Sequence, residues 1–373
     1  MRTEVVSLTA ENPDIEKIEA AAGALDEGKL VVFPTETVYG IGCRLRSDSI
    51  SRLDEVKGRD AGKRYTLHIA DPEIVTRYVP TVPLKGRKLI ENGWPGPLTL
   101  IFELDDEALA QQRGVFGEDT FSVLYEDGTI GIRCPDNQTA RQLLRSVKPP
   151  IVAPSANLDG RAPATDAAGV LSQLDGRIDF LLDGGECKYK KSSTVVKMTE
   201  GEPIILRQGV YNDRDITQMS LVRILFVCSG NTCRSPMAAA FCLKKLSEKL
   251  TCGVDEIEAR GYKIVSAGLM AGLGLPVSNE VAGICARKGI DLSGHLSRPF
   301  TAAEAEASDY IFVMSKSHRE HVLEICPDAR EKCLLLDGKG PIGDPIGSGD
   351  DVYEECAKQI ERALTKRMGE ILT

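Results

Sequence analysis

Apolar runs of strand length alternate with segments of helical spacing throughout the second half of the chain. Such runs, bounded by polar or glycine-containing segments, are typical of strands buried in a sheet. The predicted strands are Val222–Val227, Tyr262–Ser266, Tyr310–Met314 and Lys332–Leu336, and the predicted helices cover 237–250, 277–289 and the segment from Asp351 onward. Strands that alternate with helices predict a parallel, doubly wound α/β sheet, which binds ligands at the carboxyl ends of its strands.

The first half begins with a helix and a strand. The helix is predicted over 13–27 because its apolar positions recur at helical intervals, at Ile15, Ile18, Ala22 and Leu25. The strand Lys29–Phe33 follows and leads into Pro34–Gly42, a segment that contains two threonines and two glycines. This composition suits a loop that a ligand approaches closely, although it is also typical of a tight turn.

Length and composition narrow the class of protein. The 373 residues fit two domains, and the polar segment 210–221 is predicted to connect them, so we expect domains at 1–215 and 216–373. The formal net charge of −9 argues against a general nucleic-acid binder. There is no apolar run near the length of a membrane span and no apolar signal core at the start, so we expect a cytoplasmic protein without a membrane partner. The eleven cysteines include no C-x-x-C pair and there are four histidines, so no metal site is expected.

Several ordered segments of the first half combine cations, hydroxyls, glycines and prolines. They are 57–69, 94–101, 129–135, 151–160, 184–185, 192–196 and 206–209. In their order and in the residues they contain, these segments resemble the YrdC-like family, over roughly residues 10–210. The resemblance implies an open, twisted α/β sheet around a concave, electropositive cavity. It also implies the formation of L-threonylcarbamoyladenylate from L-threonine, bicarbonate and ATP with Mg²⁺, as a step that serves the tRNA-modification machinery.

The resemblance assigns site residues position by position. Those implied near threonine are Thr37, His68, Arg133 and, beside them, Ser193 or Thr194. Those implied near the nucleotide are Lys57, Arg59, Lys63, Thr129, Ser155, Asn157 and Arg207. The three phosphates of ATP and the carboxylate of threonine are anionic and therefore need cationic side chains nearby. Hydroxyls can hydrogen-bond to either kind of group. The chain departs from the family pattern at Lys63–Leu67, where the family usually continues through Asn-Pro-Leu. An alternative is therefore a non-catalytic nucleotide- or RNA-binding module that regulates the second half.

A strand, a loop and a helix surround Cys228 and Arg234. Five residues separate the two, and Ser235-Pro236 opens an Ala-rich helical segment. Backbone N–H groups of such a loop and the helix N-terminus cradle a phosphoryl oxyanion, and an arginine fork binds two of its oxygens. The same field stabilises a thiolate, so Cys228 is the candidate nucleophile. The loop residues expected to support it or set specificity are Ser229, Gly230, Asn231, Thr232, Cys233 and Ser235.

A nucleophilic thiolate needs a partner acid, and Asp344 in the segment Gly343–Gly347 is the candidate because it lies just before the C-terminal helix. Together with the loop, this segment resembles the low-molecular-weight protein phosphatases, over roughly residues 222–373. The resemblance implies that Cys228 attacks phosphorus, that Arg234 and loop amides hold the oxygens, and that Asp344 protonates the leaving group and then activates water. It also implies that Asn231 braces the loop and that Ser235 hydrogen-bonds the thiolate.

The resemblance also implies that the second half acts on phosphorylated proteins, and two pocket positions bear on which residue is dephosphorylated. Tyrosine-directed members tend to carry a bulky aliphatic residue where this chain has Thr232, and aromatic residues where it has Ile346-Gly347. Thr232 resembles the arginine-phosphatase branch, so phosphoarginine is preferred over phosphotyrosine. Arsenate reductases share the scaffold and would need a resolving cysteine such as Cys326 or Cys333. Cys233 is a candidate partner for Cys228 in a reversible disulfide.

Overall fold

The computed structural model describes residues 2–8, 14–58, 65–199 and 203–372. The chain folds into two compact units, Met1–Ser220 (unit 1) and Leu221–Thr373 (unit 2). Each unit has its own buried apolar core. In the described ranges no helix is long and apolar enough to cross a membrane. No group of three or more His, Cys, Asp or Glu side chains in those ranges is placed to hold a metal ion.

Unit 1 is built on a mixed sheet that contains ten strands in the described part of the chain. The strands are β1 (Glu4–Ser7), β2 (Val31–Phe33), β3 (Gly40–Arg44), β4 (Thr66–His68), β5 (Leu98–Glu103), β6 (Thr129–Arg133), β7 (Ile151–Val152), β8 (Phe180–Asp183), β9 (Thr194–Met198) and β10 (Pro203–Arg207). Their order across the sheet is β1-β8-β2-β3-β7-β4-β6-β5-β9-β10. Neighbours in this order are mostly distant in sequence, so the sheet gathers residues from the whole unit.

Helices pack against this sheet and bury its apolar side chains. They are α1 (Ile15–Asp26), α2 (Ser47–Lys57), α3 (Leu84–Gly93), α4 (Asp106–Phe116), α5 (Glu118–Leu124), α6 (Gln138–Ser146), α7 (Ala167–Leu174) and α8 (Asp213–Met219), with 3₁₀ turns at Pro72–Arg77 and Glu126–Gly128. The first helix agrees with the prediction over 13–27 in its described part, and it buries Ile18, Ala22 and Leu25 but leaves Ile15 exposed.

The segment 210–221, predicted to be a polar connector, instead contains helix α8. Asn212 caps this helix: its side chain accepts from the Asp215 N–H at 3.1 Å, and Asp215 accepts from the Asn212 N–H at 2.9 Å. Ile216 is 2% exposed within the unit 1 core. The polar composition concealed a helix because a capping box and a single buried apolar anchor suffice for a two-turn helix. The predicted domain boundary after residue 215 falls within it.

Unit 2 contains a four-stranded parallel sheet with helices packed on it. Its elements are β11 (Val222–Cys228), α9 (Arg234–Leu250), β12 (Tyr262–Gly268), α10 (Asn279–Arg287), α11 (Ala302–Glu306), β13 (Tyr310–Val313), α12 (Lys316–Ile325), β14 (Cys333–Leu335) and α13 (Asp350–Leu372), with 3₁₀ turns at Val254–Glu256 and Pro327–Ala329. The strand order is β12-β11-β13-β14.

The structure confirms the predicted α/β fold class of both halves. Several element boundaries differ from the prediction by one or two residues, and α9 begins at Arg234 rather than at residue 237. Pro236 therefore lies in the first turn, where its missing N–H has no helical partner to lose. Since β11 and β13 occupy the middle of the sheet, their carboxyl ends, including Cys228, open at one edge.

Candidate active sites

Unit 1 contains a cavity of about 310 Å³ at the centre of its sheet. Seven of the residues predicted from the sequence line it: Lys57, His68, Thr129, Arg133, Ser155, Ser193 and Arg207. The strand register explains part of this convergence, because Arg133 pairs with His68 on β4 and with Thr99 on β5. Register partners on neighbouring strands lie side by side on one face of a sheet.

Arg133 is buried and held by the loop after β2. Its Nη2 donates to Glu36 Oε1 and Thr37 Oγ1, both at 2.7 Å, and lies 3.4 Å from Thr35 Oγ1. Arg133 is 6% exposed and Glu36 is 3% exposed, so this is a buried ion pair. Arg133 Nε and Glu36 Oε2 have no partner in the structure. Glu36 was not predicted from the sequence, although an acid between two threonines just after an apolar strand is a signal that the sequence contains.

His68 is neutral in this cavity. Burial and the nearby Arg133 guanidinium lower the pKa of His68 to about 3. Its Nδ1 lies 3.1 Å from the Thr66 carbonyl oxygen, so Nδ1 carries the proton and donates. Nε2 is therefore the acceptor that the ring offers to the cavity.

A chain of hydroxyls and a guanidinium forms another wall. Arg207 Nη2 donates to the Ser193 carbonyl oxygen at 3.0 Å and lies 3.3 Å from Ser193 Oγ, which lies 2.9 Å from Thr99 Oγ1. Burial and the charge of Arg133 lower the pKa of Arg207 from its ordinary value. Thr194 Oγ1 instead bonds backbone groups of the loop that follows β10, donating to the Tyr211 carbonyl oxygen at 2.8 Å. Of the two hydroxyls that were alternatives for the threonine site, Ser193 is the one that lines the cavity.

Lys57 and Asn157 shape the loop that follows β7. Lys57 Nζ donates to the carbonyl oxygens of Ser155 and Asn157 at 2.6 and 2.8 Å. Asn157 Nδ2 donates to backbone carbonyls of its own loop, and its Oδ1 accepts from Ser155 Oγ at 2.5 Å. Two predicted site residues, Arg59 and Lys63, lie outside the described residues, as does part of the segment 63–67 that departs from the family pattern.

The lining of this cavity offers hydroxyls and cations, and Asp159 is the one carboxylate among the described lining residues. This donor set fits Mg²⁺ that enters with a nucleotide, bound mainly by phosphate oxygens and water. A site in which protein oxygens alone coordinate Mg²⁺ would contain more carboxylates than this single one.

In unit 2 the residues 229–233 connect β11 to α9, and we term this predicted phosphate-binding segment the phosphate loop. Cys228 ends the strand, is buried, and has its Sγ 3.0 Å from Ser235 Oγ and 3.3 Å from the Asn231 backbone nitrogen. The loop packs against Gly268 at the end of β12. A Cβ at Gly268 would lie 2.6 Å from the Ser229 carbonyl oxygen and 2.8 Å from the Asn231 nitrogen, so only glycine allows this approach.

Asn231 is the central brace of the phosphate loop. It adopts a left-handed backbone with φ 55° and is fully buried. Its Nδ2 donates to Ser235 Oγ and Ser266 Oγ, both at 2.9 Å, and its Oδ1 accepts from the Arg298 N–H at 3.0 Å. His295 Nε2 lies 2.8 Å from the Asn231 carbonyl oxygen. Asn tolerates this conformation better than most residues, and the contacts hold it there.

Arg234 and Asp344 meet at the mouth of the phosphate loop. Arg234 Nη2 lies 2.5 Å from Asp344 Oδ2, and Nη1 donates to the Ile342 carbonyl oxygen at 3.3 Å. The Arg234 side chain is 6% exposed, whereas that of Asp344 is 43% exposed. The arginine is therefore fixed from behind while the carboxylate can leave toward solvent.

His318 is a further polar residue at this site, and the sequence analysis did not single it out. Its Nε2 lies 2.9 Å from Ser229 Oγ, and its Nδ1 lies 2.9 Å from Ser315 Oγ. Burial and the charge of Arg234 lower the pKa of His318 to about 4. A neutral ring thus orients the Ser229 hydroxyl without adding a charge next to Arg234.

Two family models match the chain. The Sua5/YciO/YrdC model, described as "Telomere recombination", matches residues 23–209, and the model "Low molecular weight phosphotyrosine protein phosphatase" matches residues 223–372.

Individual relatives match the first half. The threonylcarbamoyl-AMP synthase of Pyrococcus abyssi is 38% identical over 194 residues, which are 52% of this chain and 54% of that protein. A putative threonylcarbamoyl-AMP synthase of Mycobacterium tuberculosis is 32% identical over 203 residues, covering 54% of this chain and 88% of that protein. The chain thus spans about half the length of the Pyrococcus and Bacillus relatives it matches.

A solved structure of a double variant of P. abyssi Sua5 is also similar. It is 26% identical, covers 77% of this chain and 90% of that chain, and has a TM-score of 0.51. The Sua5/YciO/YrdC match includes every residue described as lining the unit 1 cavity, and the phosphatase match includes the phosphate loop. Residues 223–372 match the low-molecular-weight phosphotyrosine protein phosphatases, and the chain belongs to the Sua5/YciO/YrdC family through residues 23–209.

Proposed function

We propose that unit 1 forms L-threonylcarbamoyladenylate from L-threonine, bicarbonate and MgATP for tRNA threonylcarbamoyladenosine modification. The observation that carries this proposal is the single cavity in which His68, Arg133, Ser193 and Arg207 converge. Its lining combines cations for carboxylate and phosphate groups with hydroxyls that orient them. The name of the similar P. abyssi protein supports the same reaction.

The contacts suggest how the roles divide. Arg133 faces the threonine carboxylate, and Glu36 keeps the guanidinium in place from behind. Neutral His68 offers its Nε2 lone pair to the threonine ammonium group, which removes a like-charge repulsion that an imidazolium would create. Arg207, whose burial disfavours an uncompensated charge, receives a partner when the phosphates enter. Lys57 positions the Ser155 loop against the nucleotide.

Pyrophosphate release tests the synthase proposal. The full chain carrying Cys228→Ser is incubated with MgATP, bicarbonate and threonine, because that substitution removes the candidate phosphatase nucleophile and any background from it. We expect pyrophosphate release that depends on threonine. Release that is absent although ATP binds would contradict the synthase and favour the alternative, a nucleotide-binding regulatory module.

For unit 2 the proposed activity is protein dephosphorylation through a phosphocysteine. An entering phosphoryl group offers Arg234 two oxygens and displaces the Asp344 carboxylate, which is the more exposed partner of the pair. Once released from Arg234, Asp344 takes up a proton from solvent. Cys228 Sγ then attacks phosphorus, and the bond from phosphorus to the leaving group breaks as Asp344 gives that group its proton. The Asp344 carboxylate next takes a proton from the water that attacks the phosphocysteine, which releases phosphate and the Cys228 thiolate. The 3.0 Å contact from Ser235 Oγ supports the thiolate in both steps.

Phosphoarginine is the proposed substrate residue, ahead of phosphotyrosine. Thr232 is half-buried in the phosphate loop and presents a hydroxyl rather than a bulky aliphatic group. The position after Asp344-Pro345 is Ile346, which is 68% exposed, so no aromatic side chain stands there to stack on a phenol ring.

Kinetics on matched phosphopeptides tests the mechanism and the specificity. We expect Cys228→Ser to abolish turnover and Asp344→Ala to slow it by about 100-fold or more. Thr232→Ile should lower the ratio of phosphoarginine to phosphotyrosine kcat/KM by about tenfold. Unchanged turnover in either of the first two variants would refute the mechanism, whereas an unchanged ratio would refute only the argument from Thr232.

A further inference from the structure

Unit 2 contains a second cavity behind the phosphate loop, which we term the rear cavity. It has a volume of about 810 Å³, within the range of small-molecule sites. It lies between α9, β12 and the segment 289–298. Its apolar walls include Ala239, Ala240, Leu243, Ile264 and Leu292.

The rear cavity shares its wall with the phosphate loop. Ser266, His295 and Arg298 line it, and each of them hydrogen-bonds Asn231, through Oγ, Nε2 and the backbone N–H respectively. Asn231 in turn bonds Ser235, whose Oγ contacts Cys228. Three hydrogen-bonded residues, one wall residue, Asn231 and Ser235, thus link the rear cavity to the candidate nucleophile.

The lysine, the arginine and the two acids that line the rear cavity balance in sign. Lys244 Nζ donates to the Lys288 carbonyl oxygen at 2.6 Å, and Arg298 Nη1 pairs with Glu304 at 2.6 Å. The two acids in the lining, Glu248 and Asp291, are exposed, and Asp291 accepts from Ser293. No charge in the lining therefore calls for an ionic ligand, while the apolar walls favour aromatic or aliphatic groups.

We infer that the rear cavity is a regulatory site for a neutral aromatic small molecule, whose binding moves the 289–298 segment and lowers phosphatase turnover through Asn231. The kinetic part of this inference rests on the proposed phosphatase function. A left-handed Asn held by contacts from three wall residues is sensitive to small displacements of that wall, because its conformation is not one that the backbone prefers by itself.

The test uses the full chain and the neutral fluorescent probe N-phenyl-1-naphthylamine. We expect saturable binding that excess vanadate does not displace, and a fall in kcat for p-nitrophenyl phosphate of about twofold or more at saturation. Ala239→Phe and Leu243→Trp fill the cavity from α9 and should each raise the probe Kd about tenfold. Leu273→Ser, at an 82% exposed loop position outside the lining, is the matched control and should leave the Kd unchanged.

Each of the other possible results contradicts a specific part of this inference. An unchanged Kd in both filled variants, or displacement by vanadate, would show that the probe binds elsewhere. Saturable binding with an unchanged kcat would refute the coupling through Asn231. If the protein does not hydrolyse p-nitrophenyl phosphate even without the probe, the proposed phosphatase function fails, while the fluorescence titrations still decide whether the cavity binds.

Discussion

At the residue scale, the two sites pair an arginine with a carboxylate in opposite ways. Arg133 and Glu36 are both buried and 2.7 Å apart, so substrate binding has to build on an intact ion pair. Arg234 is equally buried, but Asp344 is 43% exposed and can move away. In the proposed functions the first pair therefore orients a binding group, whereas the second opens during the catalytic cycle.

Neutralising Glu36 should destabilise unit 1. Glu36→Gln leaves Arg133 buried without its charge partner, which we expect to cost about 3 to 5 kcal/mol of unfolding free energy. Denaturant unfolding followed by the fluorescence of Trp94, the single tryptophan, reports on unit 1. The control is Glu118→Gln, which removes the exposed pair with Arg113 and should cost less than about 1 kcal/mol. Equal costs in the two variants would contradict the burial argument.

His68 should make unit 1 acid-sensitive. Its folded pKa of about 3 lies below the ordinary value of 6.5, so the unfolded state binds more protons between these values. The part of the unfolding free energy that comes from keeping His68 neutral is fully present above pH 6.5 and is lost as the pH falls toward 3. We expect His68→Asn, whose amide can still donate to the Thr66 carbonyl, to reduce the loss measured by Trp94 fluorescence between about pH 7.5 and pH 5 by about 2 kcal/mol. An unaltered pH dependence would show that His68 is not the responsible group.

At the scale of elements, both candidate sites lie where strands end and loops begin. The phosphate loop combines a strand end, five connecting residues and a helix N-terminus, all contiguous in sequence. The unit 1 cavity instead draws on the ends of β4, β6 and β10 and on the loop after β7. The phosphate loop packs so closely on the end of β12 that the position of Gly268 has no room for a side chain.

Gly268→Ala should impair the phosphatase selectively. The new Cβ would meet the Ser229 carbonyl oxygen at 2.6 Å, so the phosphate loop must shift. We expect kcat for p-nitrophenyl phosphate to fall by about tenfold or more while the chain stays folded. Gly283→Ala is the matched control, because its Cβ meets only the flexible end of Arg287 at 3.6 Å and lies in helix α10. It should leave kcat unchanged and stabilise the helix by up to about 1 kcal/mol.

At the scale of the whole molecule, every described residue of the unit 1 cavity belongs to Met1–Ser220 and every residue of the phosphate loop to Leu221–Thr373. Each unit also buries its own apolar core. Two separately built sites are expected to lose activity separately.

Reciprocal inactivation tests this expectation in the full chain. Arg207→Ala should lower threonine-dependent pyrophosphate release by about 100-fold and leave p-nitrophenyl phosphate hydrolysis intact, and Cys228→Ser should do the reverse. Both rates are measured on the same preparation of each variant. Loss of both activities in either variant, with the fold retained, would contradict separate sites.

The elements and the phosphate loop could be predicted from sequence because they depend on residues close together along the chain. The strand, loop and helix around Cys228 are one continuous segment whose chemistry is readable from residue types and spacing alone. Apolar spacing likewise predicted the strands of unit 2. Helix α8 escaped prediction because its local capping box lies in a polar segment and its single buried apolar residue, Ile216, enters a core built from distant residues.

Only the tertiary structure decided which distant groups meet. Arg133 bonds Glu36, and Asn231 bonds Ser266 and Arg298, across separations that sheet register and loop packing determine. A period of two positions along a strand tells which residues share a face but not which strands become neighbours. The sequence by itself therefore determined two α/β units and the chemical groups available to them. The fold decided that Glu36 holds Arg133, that His68 is neutral, and that a rear cavity adjoins the phosphate loop, because burial and contact arise only when strands far apart in sequence pair.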